Sequence, residues 1–376
     1  MKNPIISKIH ELGQSVWLDN LSRKLITSGA LERQITEVGI RGLTSNPAIF
    51  QKAISDGEVY GEAIEELANQ GLESKEIYEK LAVSDIQGAT DLFRPIYDTS
   101  GGEDGCVSLE VQPNLVYDAE GTMEEARRLW KSVSRPNVMI KIPGTREGVP
   151  AITQLLSEGV NINVTLLFSV ERYRDIAESY IKGLEKRLEQ GESIRHVVSV
   201  ASFFLSRIDV MVEPLLQDII DNKPKHADKA KMALGQVAIA NAKKAYQVFE
   251  EVFNSDRFKK LEQQGARKQR LLWASTGNKN TDYEALRYVY PLIGPDTVNT
   301  LPTDTLELLM KESADQASAT ITDDYDKADQ VLSAIADLGL EIEDITDKLE
   351  KEGVDKFEKP FDKLIATVEE QRKAHA

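Results

Sequence analysis

The stretch VMIKIPGT, residues 138–145, sets a single lysine, Lys141, among apolar and β-branched neighbours. A short run of this composition reads as a strand buried on both faces, the kind found in parallel sheets covered by helices. An ammonium in such a strand is held out of water, and desolvation disfavours its charged form. A neutral amine attacks a ketone or aldehyde to form a Schiff base, which then serves as an electron sink for breaking a carbon–carbon bond. The plainer reading is a lysine near a strand end that snorkels to solvent or pairs with a carboxylate.

Similar runs recur on either side of it: VWLDN (16–20), VGIRGLTS (38–45), CVSLEVQ (106–112), NVMIKIP (137–143), INVTLLF (162–168), HVVSVASF (196–203), RLLWAST (270–276) and DTVNTL (296–301). Amphipathic stretches lie between them, clearest at 120–133, 169–190 and 282–290. Strand followed by helix from end to end is the rhythm of a parallel α/β fold. Eight such units read most simply as one closed (β/α)8 TIM-type barrel spanning residues 1–376, although a doubly wound sheet fits the same alternation. Residues 47–105 and 204–269 are overlong connections without strand-like alternation, so they read as helical insertions. The charged residues from about 303 onward read as C-terminal helices packed over or around the barrel.

Polar residues collect on one face of these runs. In SLEVQ, alternation sets Ser108, Glu110 and Gln112 opposite Leu109 and Val111, and in a barrel the polar face points inward. Asp19 closes the first run, and carboxylates near a Schiff-base lysine can carry the protons of imine formation and aldol cleavage. A lone Asp at that position more commonly caps the following helix. Asn161, Asn163 and Thr165 share a face of the fifth run and can bind sugar hydroxyls or a water. Asn46 stands at the C-terminal end of the second run, where barrel active sites assemble, but Ser-Asn-Pro is also a turn signal. Ser202, Arg207, Ser275 and Lys279 follow the sixth and seventh runs and can hold a phosphate. Arg41 is a further charge in an apolar setting, without an evident role.

Composition limits the function classes. The 376 residues carry 46 Lys plus Arg and 62 Asp plus Glu, a net charge of −16, with 41% hydrophobic residues. Such an acidic chain is repelled by nucleic acid and by anionic membrane surfaces, but a pocket with two or three local cations still takes a small phosphorylated metabolite. Cys106 is the sole cysteine, so no intrachain disulfide or thiolate metal site is available, and the cytoplasm is the expected compartment. Cys106 itself reads as a small core residue. The four histidines, His10, His196, His226 and His375, have no paired metal spacing. Residues 1–17 lack a leader-like apolar run, and no stretch reaches the roughly 20 apolar residues of a membrane span.

Seven motifs occur in one order at strand intervals: WLDN (17–20), GLTSNPAIF (42–50), SLEVQP (108–113), VMIKIPGT (138–145), NVTLLFS (163–169), SFFLSRID (202–209) and WASTGNKN (273–280). Through most of its length the sequence thereby resembles transaldolases, particularly their longer bacterial subgroup. The resemblance implies a (β/α)8 barrel, and a Schiff base between Lys141 and fructose 6-phosphate or sedoheptulose 7-phosphate. A dihydroxyacetone unit would then pass to erythrose 4-phosphate or glyceraldehyde 3-phosphate in the pentose phosphate pathway, with neither metal nor organic cofactor. It further implies Asp19 as the acid/base at the cleaved bond, Glu110 and Thr165 as holders of a proton-relaying water, and Asn46 and Asn163 as ligands of the dihydroxyacetone hydroxyls. Ser202 and Arg207 would line the pocket and hold the substrate phosphate, with Phe204 a further substrate-binding residue. Shorter transaldolases resemble one another in a second phosphate-binding Arg soon after the serine that matches Ser275. Here Lys279 would supply that charge from two residues later.

Fructose 6-phosphate aldolase, which releases free dihydroxyacetone, is the nearest alternative. Those enzymes tend to carry Tyr at Phe204 and Gln at Glu110, and Phe lacks a phenolic proton donor, so transfer is favoured over release. A phosphosugar-binding barrel without catalysis has no need of the buried lysine. A pyridoxal-phosphate enzyme would share the lysine but be coloured. Monomer and homodimer both remain compatible with the sequence.

Overall fold

A computed structural model describes residues 2–56 and 59–374. His375 lies outside the described residues. Eight parallel strands close into a barrel in sequence order: β1 (Gln14–Asp19), β2 (Gly42–Thr44), β3 (Cys106–Glu110), β4 (Val138–Pro143), β5 (Ile162–Leu167), β6 (Ser199–Phe204), β7 (Arg270–Ala274) and β8 (Thr297–Leu301). Closure comes from β1 pairing with both β2 and β8, for example Leu18 with Leu43 and Trp17 with Thr300.

The expected eight strands are therefore present and form a closed barrel, not an open sheet. The second is much shorter than its apolar run: Val38 ends a π-helical turn, and Gly39 after it has a left-handed backbone (φ 97°). Gly42 begins β2 where the Trp17 ring crosses it, and a Cβ there would meet ring atoms at 2.4 Å. The helix expected over 282–290 is a correction. That segment is a chain of turns ending in a 3-10 turn at Tyr290–Leu292. Asn278 Nδ2 donates to the carbonyls of Asn280 and Tyr283, and the Arg287 side chain is drawn to Asp209 and Glu213. Those side-chain bonds compete with the helical ladder, and Pro291 has no N–H to extend it.

Polar residues inside the barrel are arranged in layers. At the N-terminal end, Arg270 donates to Ser15 Oγ (2.9 Å) and Asp104 Oδ1 (3.0 Å), and Ser15 Oγ donates to Asp104 Oδ2 at 3.0 Å. Arg41 joins through Nη1 at 3.3 Å from Asp104 Oδ2, which supplies the role its sequence did not disclose. Burial opposes charge on Asp104, yet the two arginines and Ser15 hold its carboxyl below the usual range. Above this floor, Asn163 Nδ2 donates to Ser108 Oγ at 3.0 Å, and Ser202 Oγ donates to Asn163 Oδ1 at 2.7 Å. Cys106 is buried in the wall, where loss of solvation pushes its thiol up to about 12.

The two expected insertions are helical throughout their regular structure. The last helix, Ile342–Ala374, packs against the helices Pro47–Ser55 and Ser74–Thr99 on one side and Ser206–Asn222 on another, and also meets β5. It thus crosses the C-terminal mouth of the barrel. Gly353 permits the crossing, since a Cβ there would lie 2.9 Å from Leu166 Cδ2. Leu166 in turn has a left-handed backbone (φ 61°) where the β5 register shifts. No helix of the described residues is long and apolar enough to cross a membrane.

Candidate active site

Strand register brings Lys141 together with its neighbours. Glu110 on β3 pairs with Lys141 on β4, Lys141 pairs with Asn163 on β5, and Pro143 pairs with Thr165. In a barrel, residues at one level of neighbouring strands meet at the same height of the interior. Lys141 is only 6% exposed. Its Nζ donates to the Ser45 carbonyl at 2.9 Å and lies 3.4 Å from Glu110 Oε2. Ser45 is itself fixed by donating to the Ser108 carbonyl at 2.7 Å.

A cavity of about 170 Å³ opens above Lys141, and Asp19, Asn46, Thr165, Ser202, Phe204, Arg207 and Ser275 all line it. Asp19 does not cap the next helix; Ser22 does, accepting the Leu25 N–H. Instead Asp19 Oδ1 accepts from Thr44 Oγ1 at 2.7 Å, and Thr44 lies 2.8 Å from Thr300 Oγ1. Burial raises the Asp19 carboxyl above its ordinary range, although that hydrogen bond and the charges of Lys141 and Lys279 oppose the rise. Burial also raises Glu110, against the charge and hydrogen bond of Lys141. Each carboxyl is thereby brought nearer to exchanging a proton at neutral pH.

Asn46 both caps a helix and lines the cavity. Its Oδ1 caps the helix Pro47–Ser55 by accepting the Ile49 N–H at 3.0 Å, and its side chain also lines the cavity. Thr165 is buried, and its Oγ1 has no hydrogen-bond partner among the described residues. A buried hydroxyl without a partner on this wall is placed to hold a water or a substrate oxygen. Phe204 packs against Phe168 at 5.2 Å between ring centres. Ser275 has a left-handed backbone (φ 55°), and its Oγ lies 2.8 Å from Ser206 Oγ. Glu110, Asn163 and Lys279 are not among the lining residues: Glu110 borders an adjoining hollow with Leu166 and Phe357, Asn163 is fully buried beside Ser202, and Lys279 is exposed.

Sequence reasoning missed Thr44, Thr300 and, above all, the contribution of the last helix. Phe357 sets its ring 5.9 Å from Lys141 Nζ and 6.0 Å from the Arg207 guanidinium, and Lys356 and Pro360 also line the cavity. The available signal was KFEKPF (356–361), an aromatic and proline cluster within an otherwise charged helix. A larger hollow of about 400 Å³ lies on the barrel flank beside a second buried lysine, Lys243. That ammonium donates to the carbonyls of Thr320 and Asp323, with no carboxylate in ion-pair range among the described residues. Glu284 and Asp324 line that hollow, but neither pairs with the ammonium as Glu110 does with Lys141. Among the described residues, no three His, Cys, Asp or Glu side chains gather as ligands for a metal ion.

Residues 16–368 match the family described as transaldolase/fructose-6-phosphate aldolase. The chain belongs to that family. It is 46% identical over 370 residues to a transaldolase of Trichodesmium erythraeum, covering 97% of each chain. It is 45% identical over 369 residues to one of Saccharopolyspora erythraea, covering 98% of each. A third relative, transaldolase 2 of a Nostoc species, is 45% identical over 370 residues, with 96% of each chain covered. Lys141 and all seven motifs fall within the matched span, as does the barrel apart from the first two residues of β1.

Proposed function

We infer that this protein is a transaldolase, moving a dihydroxyacetone unit from fructose 6-phosphate or sedoheptulose 7-phosphate to erythrose 4-phosphate or glyceraldehyde 3-phosphate. The observation that carries this reading is the buried Lys141 ammonium under a cavity flanked by two desolvated carboxyls. Lys141 adds to the ketone carbonyl, and the carbinolamine loses water to give an iminium. Glu110, 3.4 Å from Nζ, takes the amine proton and returns it to the departing hydroxyl through a water on Thr165 Oγ1.

Asp19 then removes the proton of the C4 hydroxyl, the C3–C4 bond breaks, and its electron pair is stored in the enamine while the aldose leaves. Attack of the enamine on the acceptor aldehyde reverses these steps, with Asp19 returning the proton. Asn46 and Asn163 bind the retained three-carbon unit. The Asn163 amide is fixed by Ser108 and Ser202, the second of which lines the cavity. Arg207 and Ser275, with Lys279 at the rim, receive the phosphate. Phe204 supplies no proton to the enamine, which favours transfer over release of free dihydroxyacetone. The proposal includes a cytoplasmic, cofactor-free enzyme of one barrel domain, as a monomer or homodimer.

Borohydride reduction in the presence of fructose 6-phosphate tests this directly. A three-carbon adduct on Lys141 that falls when erythrose 4-phosphate is added is the expected result. Free dihydroxyacetone without transfer would overturn it in favour of the aldolase.

A further inference from the structure

Arg207 follows β6 and is half-buried, yet its Nη1 is buried without a hydrogen-bond partner among the described residues. Its guanidinium is held between two rings, 5.7 Å from Phe204 and 6.0 Å from Phe357, and desolvation disfavours its charge. Only the more distant carboxylate of Glu352 offsets that desolvation. One turn further along the same helix, Lys356 lines the cavity with its Nζ 3.2 Å from Glu352 Oε2. Two cations from different parts of the fold thus flank one carboxylate at the cavity rim. A phosphate dianion entering there gains a buried guanidinium Nη1 that lacks a partner and an exposed ammonium that can exchange a partly exposed carboxylate for it.

We propose that Lys356, on the C-terminal helix, is a phosphate-binding residue of the substrate site, acting beside Arg207 on the terminal phosphate of donor and acceptor. The proposal rests on the transaldolase reading and adds to it a residue from outside the barrel strands and their loops. Donor and acceptor both carry their phosphate at the end remote from the reacting carbon, so one subsite serves both half-reactions. The neighbouring residue, Phe357, covers Lys141. One helix thus brings both a phosphate contact, Lys356, and the ring over Lys141, Phe357.

Transfer kinetics of wild type, Lys356→Ala, Lys356→Arg and Lys279→Ala test the proposal, with fructose 6-phosphate and erythrose 4-phosphate and, in parallel, with unphosphorylated fructose and erythrose. Losing one charge-assisted contact should raise KM for the phosphorylated pair about tenfold in Lys356→Ala while kcat stays within about twofold. The unphosphorylated pair should be unaffected, and Lys356→Arg should restore KM to within about threefold of wild type. Unchanged KM in Lys356→Ala, or equal losses with and without phosphate, would overturn the proposal. So would a phosphate dependence that disappears only in Lys279→Ala. A wild-type protein without transfer activity would instead overturn the transaldolase reading. Calorimetric titration with inorganic phosphate, which needs no turnover, then still decides the subsite: weaker binding by Lys356→Ala supports it and equal binding refutes it.

Discussion

Lowering the pH from 7 to 5 should weaken the fold through one side chain near the floor of the barrel. His10 Nε2 accepts the Val16 N–H at 3.3 Å. Burial above all, then the charges of Arg41, Lys2 and Arg270, lower its pKa from 6.5 to about 3, with Asp104 pulling the other way. The unfolded chain takes up this proton near its ordinary pKa and the folded chain only near 3. Stability from the neutral imidazole is therefore full above pH 6.5 and is lost as pH falls toward 3. Integrating the two titrations gives a loss of about 2 kcal/mol between pH 7 and 5. Asp19 and Glu110 have raised pKa values and contribute with the opposite sign, so the total pH dependence mixes several groups. Comparison with His10→Gln isolates the imidazole, because Gln can accept the same N–H without titrating and the carboxyl contributions cancel. Urea unfolding at the two pH values should show the variant gaining about 2 kcal/mol on wild type as the pH drops. A stability difference constant to within about 0.5 kcal/mol would refute the assignment of a neutral buried His10.

Three further outcomes are expected. Asp19→Asn should lower kcat by about 10² to 10⁴ while borohydride still traps donor on Lys141; loss of trapping in parallel with turnover would contradict its placement at the cleavage step. Phe204→Tyr should raise the ratio of dihydroxyacetone released to product transferred, and an unchanged ratio counts against the proton-donor argument. Gly42→Ala pushes a methyl group into the Trp17 ring and should destabilise by about 3 kcal/mol, read as a lower urea midpoint with unchanged slope; near-wild-type stability would show that the ring can move aside.

Much of the barrel was legible because each strand carries its own signal. Lys141, Glu110, Asn163 and Thr165 announce themselves as polar exceptions in apolar runs, and period-two alternation assigns them to one face without knowledge of neighbouring strands. The turns over 282–290 were not legible, since their helical periodicity was overridden by the amide of Asn278, just before the segment, and by the pull on Arg287 of Asp209, a partner distant in sequence. Asp19 shows the same division. The sequence alone determined that a carboxylate ends β1, but only strand register could show that it accepts from Thr44 instead of capping a helix.

The eight-strand rhythm, the buried lysine and the chemistry open to it were determined locally, by residue type and spacing. The last helix was decided by the tertiary structure alone. Nothing within a charged, amphipathic helix specifies what its few apolar residues will meet. Only docking across the barrel mouth, with Gly353 against Leu166, brings Lys356 and Phe357 to a lysine more than 200 residues earlier in the chain.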